Sequence, residues 1–136
     1  MFITTKGSYA LRVMVELAIY GGEDYVPLKE IASRQEISQK YLESIMSILS
    51  KGKLVEAASG KGGGYRLTRK PEEYKVGEIF RLTEGQLSPV SCHAMDGKGC
   101  DNSANCVTLP FWQGLSDTIN DYLDNHTLDE VISKNI

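Results

Sequence analysis

The sequence lacks long apolar runs and has few cysteines, and each shortage narrows what the protein can be. No stretch approaches the roughly 20 apolar residues that a membrane-spanning helix needs. The opening residues, MFITTKGSYALRVM, lack the cleavage site and flanks of a signal peptide. The sequence therefore predicts a cytoplasmic protein with no membrane partner. In that compartment its 3 cysteines are not expected to form structural disulfides.

Net positive charge is also missing, because the 136 residues carry a formal charge of -3. The distribution of charge matters more than its sum. From residue 39 to residue 70 the acids are only Glu43 and Glu56, whereas the cations are Lys40, Lys51, Lys53, Lys61, Arg66, Arg69 and Lys70. From residue 91 onward the balance is acidic. This asymmetry predicts one face for a polyanion, and ordinary solvated charge is the alternative.

The first half of the chain predicts a helix-turn-helix. A first helix spans Thr5 to Tyr20, a short helix opens at Pro27, and a third begins after Ser38, a good N-cap. One side of this third helix is apolar, through Tyr41, Leu42, Ile45, Met46 and Leu49. The opposite side can reach base edges and phosphates, through Gln39, Lys40, Glu43, Ser44 and Ser47. We expect the helix to end at Gly52 in the left-handed conformation. A plain helical hairpin is the alternative on packing grounds.

A glycine-rich hairpin follows that helix. A strand starts at Leu54, the chain turns through Gly60–Gly64, and Tyr65 begins the return strand. Glycines let backbone N–H groups approach a phosphate closely. No Gly-Lys-Ser/Thr opens a helix after them, which excludes a Walker phosphate loop. A helix followed by a basic, glycine-rich hairpin is typical of a winged helix-turn-helix, so the sequence predicts binding to double-stranded DNA.

The second half supplies a short helix, an irregular segment and a long helix. The short helix runs from Val76 to near Gly85, and the long one from Leu109 to Leu123, followed by a final turn after Thr127. The apolar side of the long helix is predicted to hold Leu109, Trp112, Leu115, Ile119, Tyr122 and Leu123. It is a candidate dimer interface, pairing with the first helix of a second subunit. Packing on its own core is the alternative.

The predicted fold class is therefore mainly α with a small β-wing, a winged helix-turn-helix plus a long dimerisation helix. Three segments are expected: a DNA-binding domain over residues 1–85, a cysteine loop over 86–107, and the dimerisation helix with its C-terminal turn over 108–136.

The irregular segment holds all three cysteines, spaced Cys92-x7-Cys100-x5-Cys106. They lie among polar residues and glycines, unlike core cysteines. Such a loop can deliver three thiolates to one soft metal centre, and the absence of a tight Cys-x2–4-Cys pair favours an iron–sulfur cluster over zinc. Zinc, a free thiol and a reversible disulfide remain as alternatives. The fourth ligand is not identified by the sequence. The candidates are His93, Asp96, Asp101 and a group from the first helix of a partner subunit.

An enzyme, such as a thiol-dependent reductase or peroxidase, is the rival from another class. The cysteine loop has no neighbouring helix N-terminus to lower a thiol pKa, and no nucleophile–base pair is recognisable. The sequence therefore predicts a protein that is not an enzyme.

Several short segments together carry a family resemblance: Thr5-Lys6-Gly7-Ser8-Tyr9-Ala10, Val26-Pro27-Leu28, Ile37-Ser38, Tyr41-Leu42-Glu43, Gly62-Gly63-Gly64-Tyr65, Val76-Gly77-Glu78, the three cysteines and Trp112. Through these segments the chain resembles the Rrf2 family of bacterial transcription regulators, and its iron–sulfur-sensing branch in particular. The resemblance implies a homodimer of winged-helix domains, each with a cluster loop beside a long dimerisation helix.

The resemblance also implies roles for individual residues. Those expected in the DNA major groove are Ser38, Gln39, Lys40, Tyr41 and Glu43. At the wing, in the minor groove, it places Ser59, Gly60 and Lys61. The thiolates of an iron–sulfur cluster correspond to Cys92, Cys100 and Cys106, with [2Fe-2S] favoured over [4Fe-4S].

This chain departs from the family at positions that bear on the cluster and the wing. Leu109 and Ser8 stand where two kinds of relative supply a histidine and an aspartate ligand, respectively. The interval between Cys92 and Cys100 is longer than in relatives. Ser59 stands where some relatives insert an arginine into the minor groove. The fourth ligand and the preferred DNA sequence are therefore left open by the resemblance.

Overall fold

The structure, a computed structural model, describes residues 3–89 and 107–136. The described elements are α1 (Thr5–Tyr20), α2 (Leu28–Gln35), α3 (Gln39–Lys51), β1 (Val55–Ala58), β2 (Gly64–Leu67), a 3-10 turn (Pro71–Glu73), α4 (Val76–Glu84), α5 (Leu109–Asp124) and α6 (Leu128–Ser133). The two strands pair antiparallel, with Val55 opposite Leu67 and Ala58 opposite Gly64. This confirms the predicted fold, mainly helical with a small β-wing. None of the described helices combines the length and apolar composition needed to cross a membrane.

The main core lies between α1 and α3. The apolar stripe predicted for α3 is buried as expected, since Leu42, Ile45, Met46 and Leu49 are 0% exposed. It packs against Val13, Met14 and Leu17 of α1 in one cluster, which also contains Leu128 of α6. Because the apolar side of α3 packs against the core, its polar side faces outward.

Local sequence sets both ends of α3, though not in the way predicted at its C-terminus. The Ser38 hydroxyl accepts a hydrogen bond from the Tyr41 amide at 3.2 Å, as an N-cap does. The left-handed residue after the helix is Lys53, with φ 61, whereas Gly52 has φ -80. The predicted end of the helix at Gly52 is therefore confirmed, and the predicted left-handed conformation of Gly52 is wrong. A glycine at position 52 is explained by packing, since a Cβ there would lie 2.3 Å from a methyl carbon of Leu82 in α4.

Side-chain hydrogen bonds tie the N-terminal side of the cysteine segment to neighbouring helices. At the end of α4, Glu84 accepts from the Thr4 hydroxyl and, at 2.9 Å, from the Gly7 amide. Asn120 of α5 donates to the Leu87 carbonyl at 3.3 Å. The three cysteines that follow, Cys92, Cys100 and Cys106, lie outside the described residues. The chain that leads into them is held against the start of α1 and the middle of α5.

An arginine clamp holds α5 on α4. Arg81 donates to both carboxylate oxygens of Asp124, at 2.6 and 2.9 Å, and to the Asn120 amide oxygen at 2.6 Å. These hydrogen bonds hold the pKa of Asp124 below its ordinary value. Gly77 leaves room for the pair, because a Cβ there would lie 2.2 Å from the Asp124 carboxylate. The long helix is therefore attached to the winged unit by this polar clamp and by Leu123, which packs against Val76, Phe80 and Leu87.

Candidate nucleic-acid interface

The polar face of α3 lies on the surface. Exposure is high for all five residues assigned to it, Gln39, Lys40, Glu43, Ser44 and Ser47. Within residues 3–89 and 107–136, the side chains of Lys40 and Glu43 have no hydrogen-bond or ion-pair partner in the protein. A cation and a carboxylate thus stand together on one helical face with their polar atoms available to a ligand.

Two of the predicted recognition residues also hold the start of α3 in place. The Ser38 hydroxyl caps the helix, and the half-buried Tyr41 ring packs edge-on against Tyr9 of α1, with ring centroids 6.0 Å apart. That they also touch DNA stays a prediction. Their contacts show how the first turn of α3 is aligned on α1.

The wing tip is a tight turn built from glycine. Gly60 and Gly62 have φ values of 84 and 80, in the region that favours glycine. A Cβ on Gly63 would lie 2.3 Å from the Ala58 carbonyl oxygen. Ser59, Gly60 and Lys61 are all exposed, so the single cation of the tip projects from between two glycines. The tip is narrow, basic and free of bulky side chains.

The base of the wing is tied to the core at two points. Val26 and Tyr65 exchange backbone hydrogen bonds of 2.8 and 2.9 Å, which form an isolated antiparallel bridge beside the hairpin. The fully buried Tyr74 donates its hydroxyl to the Leu54 carbonyl at 2.7 Å. The Tyr74 hydroxyl oxygen also accepts hydrogen bonds from the Thr68 and Arg69 amides, at 2.9 and 3.0 Å. Sequence reasoning did not assign a role to Tyr74, although it is the one aromatic residue in the polar stretch RKPEEYK.

The cations of the basic region divide into two groups. Arg66 pairs with Glu56, and Arg69 pairs with Glu78 at 3.2 Å. The hydrogen bond from Arg66 to Glu56 raises the pKa of that guanidinium. In the part of the chain that the structure describes, no ion pair involves Lys40, Lys51, Lys53, Lys61 or Lys70, and all five are exposed. The charge offered to a polyanion is therefore carried by lysine, a compact point charge suited to phosphate.

A buried polar network connects α1 to the helix-turn-helix. The Glu16 side chain is 1% exposed and accepts from Arg34 at 2.7 Å and from the Gln35 amide nitrogen at 2.9 Å. Arg12 donates to the Gln35 side-chain oxygen at 2.9 Å and to its backbone carbonyl at 3.1 Å. Sequence reasoning missed this network. The pattern did contain an indication, because Glu16 lies one turn after Val13 on the inward side of α1.

The predicted metal site cannot be placed on this framework. Cys92, Cys100 and Cys106 lie outside the described residues. Among the residues that are described, no group of three or more histidine, cysteine, aspartate or glutamate side chains is placed to hold a metal ion. The candidate nucleic-acid interface is thus α3 and the wing, and the thiolate site stays a prediction.

Comparison with known proteins gives a consistent family. Residues 3–134 match the Rrf2 family, described as an iron-dependent transcriptional regulator. The chain is 38% identical over 135 residues to the HTH-type transcriptional regulator IscR of Aliivibrio salmonicida, covering 99% of this chain and 79% of that protein.

Two solved structures extend the likeness to the fold. The global cysteine regulator CymR of B. subtilis superimposes with a TM-score of 0.84 at 34% identity, covering 98% of each chain. IscR of T. potens has a TM-score of 0.79 at 35% identity, covering 100% of this chain and 89% of that one. The likeness therefore extends over the helical face and the wing described above. The chain belongs to the Rrf2 family and is a DNA-binding transcription regulator of that type.

Proposed function

We propose that this regulator binds operator DNA in the cytoplasm as a homodimer, with α3 in the major groove and the wing in the minor groove. The residues assigned to the major groove are Ser38, Gln39, Lys40, Tyr41 and Glu43, and those assigned to the minor groove are Ser59, Gly60 and Lys61. The observation that carries the proposal is the polar face of α3, exposed along its length on a helix whose other side buries Leu42, Ile45, Met46 and Leu49. An exposed helix beside a narrow basic wing fits the two grooves of a duplex.

The surface of α5 supports the dimer. The helix has no buried residue within one chain, and its Phe111, Leu115 and Tyr122 are 66%, 38% and 54% exposed. They recur at intervals of four and seven, which places them on one side of the helix. A contiguous apolar stripe on a surface helix is typical of a protein–protein interface. A second copy covering it would present two α3 helices to two half-sites.

We expect Glu43→Ala to reduce sequence discrimination and Lys61→Ala to reduce affinity for all DNA. Glu43 can accept a hydrogen bond from a cytosine amino group, so its loss should cost about 1–3 kcal/mol of discrimination between the preferred and other sequences. Lys61 is a phosphate contact, so its loss should weaken binding to every duplex and lower the salt slope by about one unit per contact. Selection from a randomised duplex pool, followed by titrations at several salt concentrations, measures both effects.

Each variant serves as the control for the other. Glu43→Ala should leave the salt slope unchanged, and Lys61→Ala should leave the ranking of sequences unchanged. Unaltered selectivity for Glu43→Ala would remove the base-reading role of that residue. An unaltered salt slope for Lys61→Ala would remove the wing from the phosphate contacts.

We further propose that Cys92, Cys100 and Cys106 hold an iron–sulfur cluster, [2Fe-2S] in preference to [4Fe-4S], and that its state switches DNA binding. Three thiolates are a donor set that such clusters accept, and the family is described as iron-dependent. When bound, a cluster supplies a centre sensitive to oxidants and nitric oxide. A switch requires that the two states of the cysteine segment differ in DNA affinity. The hydrogen bonds of Glu84 and Leu87 support this, because they tie the N-terminal side of the segment to α1 and α5.

Anaerobically purified protein is expected to be coloured and to contain iron and sulfide in equal amounts. Cys100→Ala should lose the visible absorption together with both elements, because two thiolates cannot hold the cluster stably. Ser103→Ala, a change of similar size in the same segment, should retain them. Colourless protein with stoichiometric zinc would contradict the cluster proposal and leave DNA binding untouched.

That outcome would support a second candidate, a cluster-free regulator that uses the cysteines as a thiol redox or zinc site. It is favoured by Ser8 and Leu109, neither of which offers the carboxylate or imidazole that the resemblance leads one to expect there. Both candidates share the DNA-binding proposal and differ only in the chemistry of the cysteine segment.

A further inference from the structure

The polar network around Glu16 has one buried carboxylate at its centre, which Arg34 reaches directly and Arg12 reaches through Gln35. Arg34 Nε donates to one oxygen of Glu16, and the Gln35 amide nitrogen donates to the other. Gln35 in turn accepts from Arg12 Nε through its amide oxygen. The hydrogen bonds therefore run inward from each arginine and meet at Glu16. The Glu16 side chain is 1% exposed, so water cannot replace a missing partner there at low cost.

This geometry requires one acid and one amide at positions 16 and 35. If both residues were glutamine, each would turn its oxygen to an arginine, and two N–H₂ groups would face one another. If both were glutamate, two carboxylate oxygens would face one another. Exchanging the two residues, as in the double variant E16Q/Q35E, would satisfy every donor and keep the net charge. The network therefore has two satisfiable forms and two frustrated ones.

The network ends at the turn that starts the recognition helix. Gln35 is the last residue of α2, and Ser38 already caps α3. Arg12 also binds the Gln35 carbonyl at 3.1 Å, and its guanidinium carbon lies 4.9 Å from the centre of the Tyr9 ring, which packs on Tyr41. A side chain in the middle of α1 is thus linked through successive contacts to the first turn of α3.

We propose that Glu16 is a positioning residue for DNA recognition: through Gln35 and Arg12 it holds the α2–α3 turn, and so sets the alignment of the α3 polar face with base edges. This inference rests on the proposed function and adds a determinant of specificity that does not itself touch DNA. Contacts to base edges read the sequence, whereas phosphate contacts carry no sequence information directly. Loosening the turn therefore reduces discrimination between sequences before it reduces general affinity.

The test is a double-mutant cycle of Glu16→Gln, Gln35→Glu and the exchange variant E16Q/Q35E. The probes are a duplex selected by the wild-type protein from a randomised pool and a scrambled duplex of the same composition. Each single variant should lose about tenfold in affinity for the selected duplex, a typical effect within one hydrogen-bond network. Affinity for the scrambled duplex and the salt slope should not change. The exchange variant should recover discrimination.

Glu30→Gln is the matched control. Glu30 also pairs with Arg34, at 3.6 Å, but it is an exposed residue and takes no part in the contacts to Gln35. It should bind both duplexes like the wild type. Equal loss in E30Q, no loss in either single variant, or no recovery in E16Q/Q35E would overturn the proposal.

A measurement without DNA separates this inference from the proposed function. The amides of Glu36 and Ile37 both donate to the Ala32 carbonyl, so hydrogen exchange reports directly on the turn. Both single variants should exchange these amides about tenfold faster, and the exchange variant should restore protection. If the wild type selected no duplex, the proposed function would fail while the exchange rates still decided whether Glu16 holds the turn. Unchanged rates would overturn the positioning role whatever the DNA result.

Discussion

Leu115→Glu is expected to yield a monomer whose affinity for a duplex with two half-sites is lower by roughly 10²–10⁴-fold. Two linked recognition modules gain that much over one, because the second binds at high effective concentration. Leu115 lies at the centre of the exposed stripe of α5, between Phe111 and Tyr122. A carboxylate placed there would have to be buried without a partner when two copies meet. Light scattering gives the oligomeric state, and titration of the same sample gives the affinity.

Gln113→Glu supplies the control, because it adds the same charge to the same helix. At about 100° per residue it lies on the side opposite the stripe, and it is exposed. It should remain dimeric and bind DNA normally. Binding to a duplex with a single half-site should be similar for both variants and the wild type. A Leu115→Glu protein that remained dimeric with full affinity would show that α5 is not the interface.

The periodicity of the sequence predicts where α5 lies but not which of its apolar residues are half-buried and which are exposed. Apolar residues cover a wide arc of this helix, and the sequence grouped Leu115 and Tyr122 with Trp112 and Leu123. The structure separates them: Trp112 and Leu123 are half-buried, whereas Leu115 and Tyr122 are exposed. The Arg81 clamp decides the division, because it turns the Asn120–Asp124 side of α5 towards α4. That contact joins residues about forty positions apart, which a local pattern cannot reveal.

Elements whose causes are local were predicted closely. The bounds of α1, the Ser38 cap and the buried stripe of α3 follow from spacing and side-chain chemistry within a few residues. What the sequence missed depends on distant partners. Gly52 is explained by Leu82, and Glu16 by Arg34 and Gln35. The local sequence around each of these positions gives no indication of its partner, because the partner lies far away along the chain.

Tyr74 is the extreme case of such a distant dependence, and its removal should have the largest effect on stability. Tyr74→Phe would remove the hydroxyl shared by the Leu54 carbonyl and the Thr68 and Arg69 amides, costing about 1–3 kcal/mol, although the Thr68 amide keeps its 3.4 Å hydrogen bond to the Leu54 carbonyl. Tyr74→Ala should cost about 3–5 kcal/mol, because it also opens a cavity. Against a typical unfolding free energy of about 5–15 kcal/mol, the alanine variant would lose a large share of its stability. Urea denaturation of both variants measures these losses.

The Tyr74→Phe variant also tests whether the wing base matters for DNA binding. The Tyr74 hydroxyl joins the residue before β1 to the residues after β2. Loss of this hydroxyl should therefore let the wing move and weaken binding to all duplexes, as Lys61→Ala does. Tyr20→Phe is the control, because that ring is 59% exposed; it should change neither stability nor affinity. A Tyr74→Phe protein as stable as the wild type would mean that these buried backbone groups find other partners. Lower stability with unchanged DNA affinity would confine Tyr74 to the core and separate the rigidity of the wing base from DNA recognition.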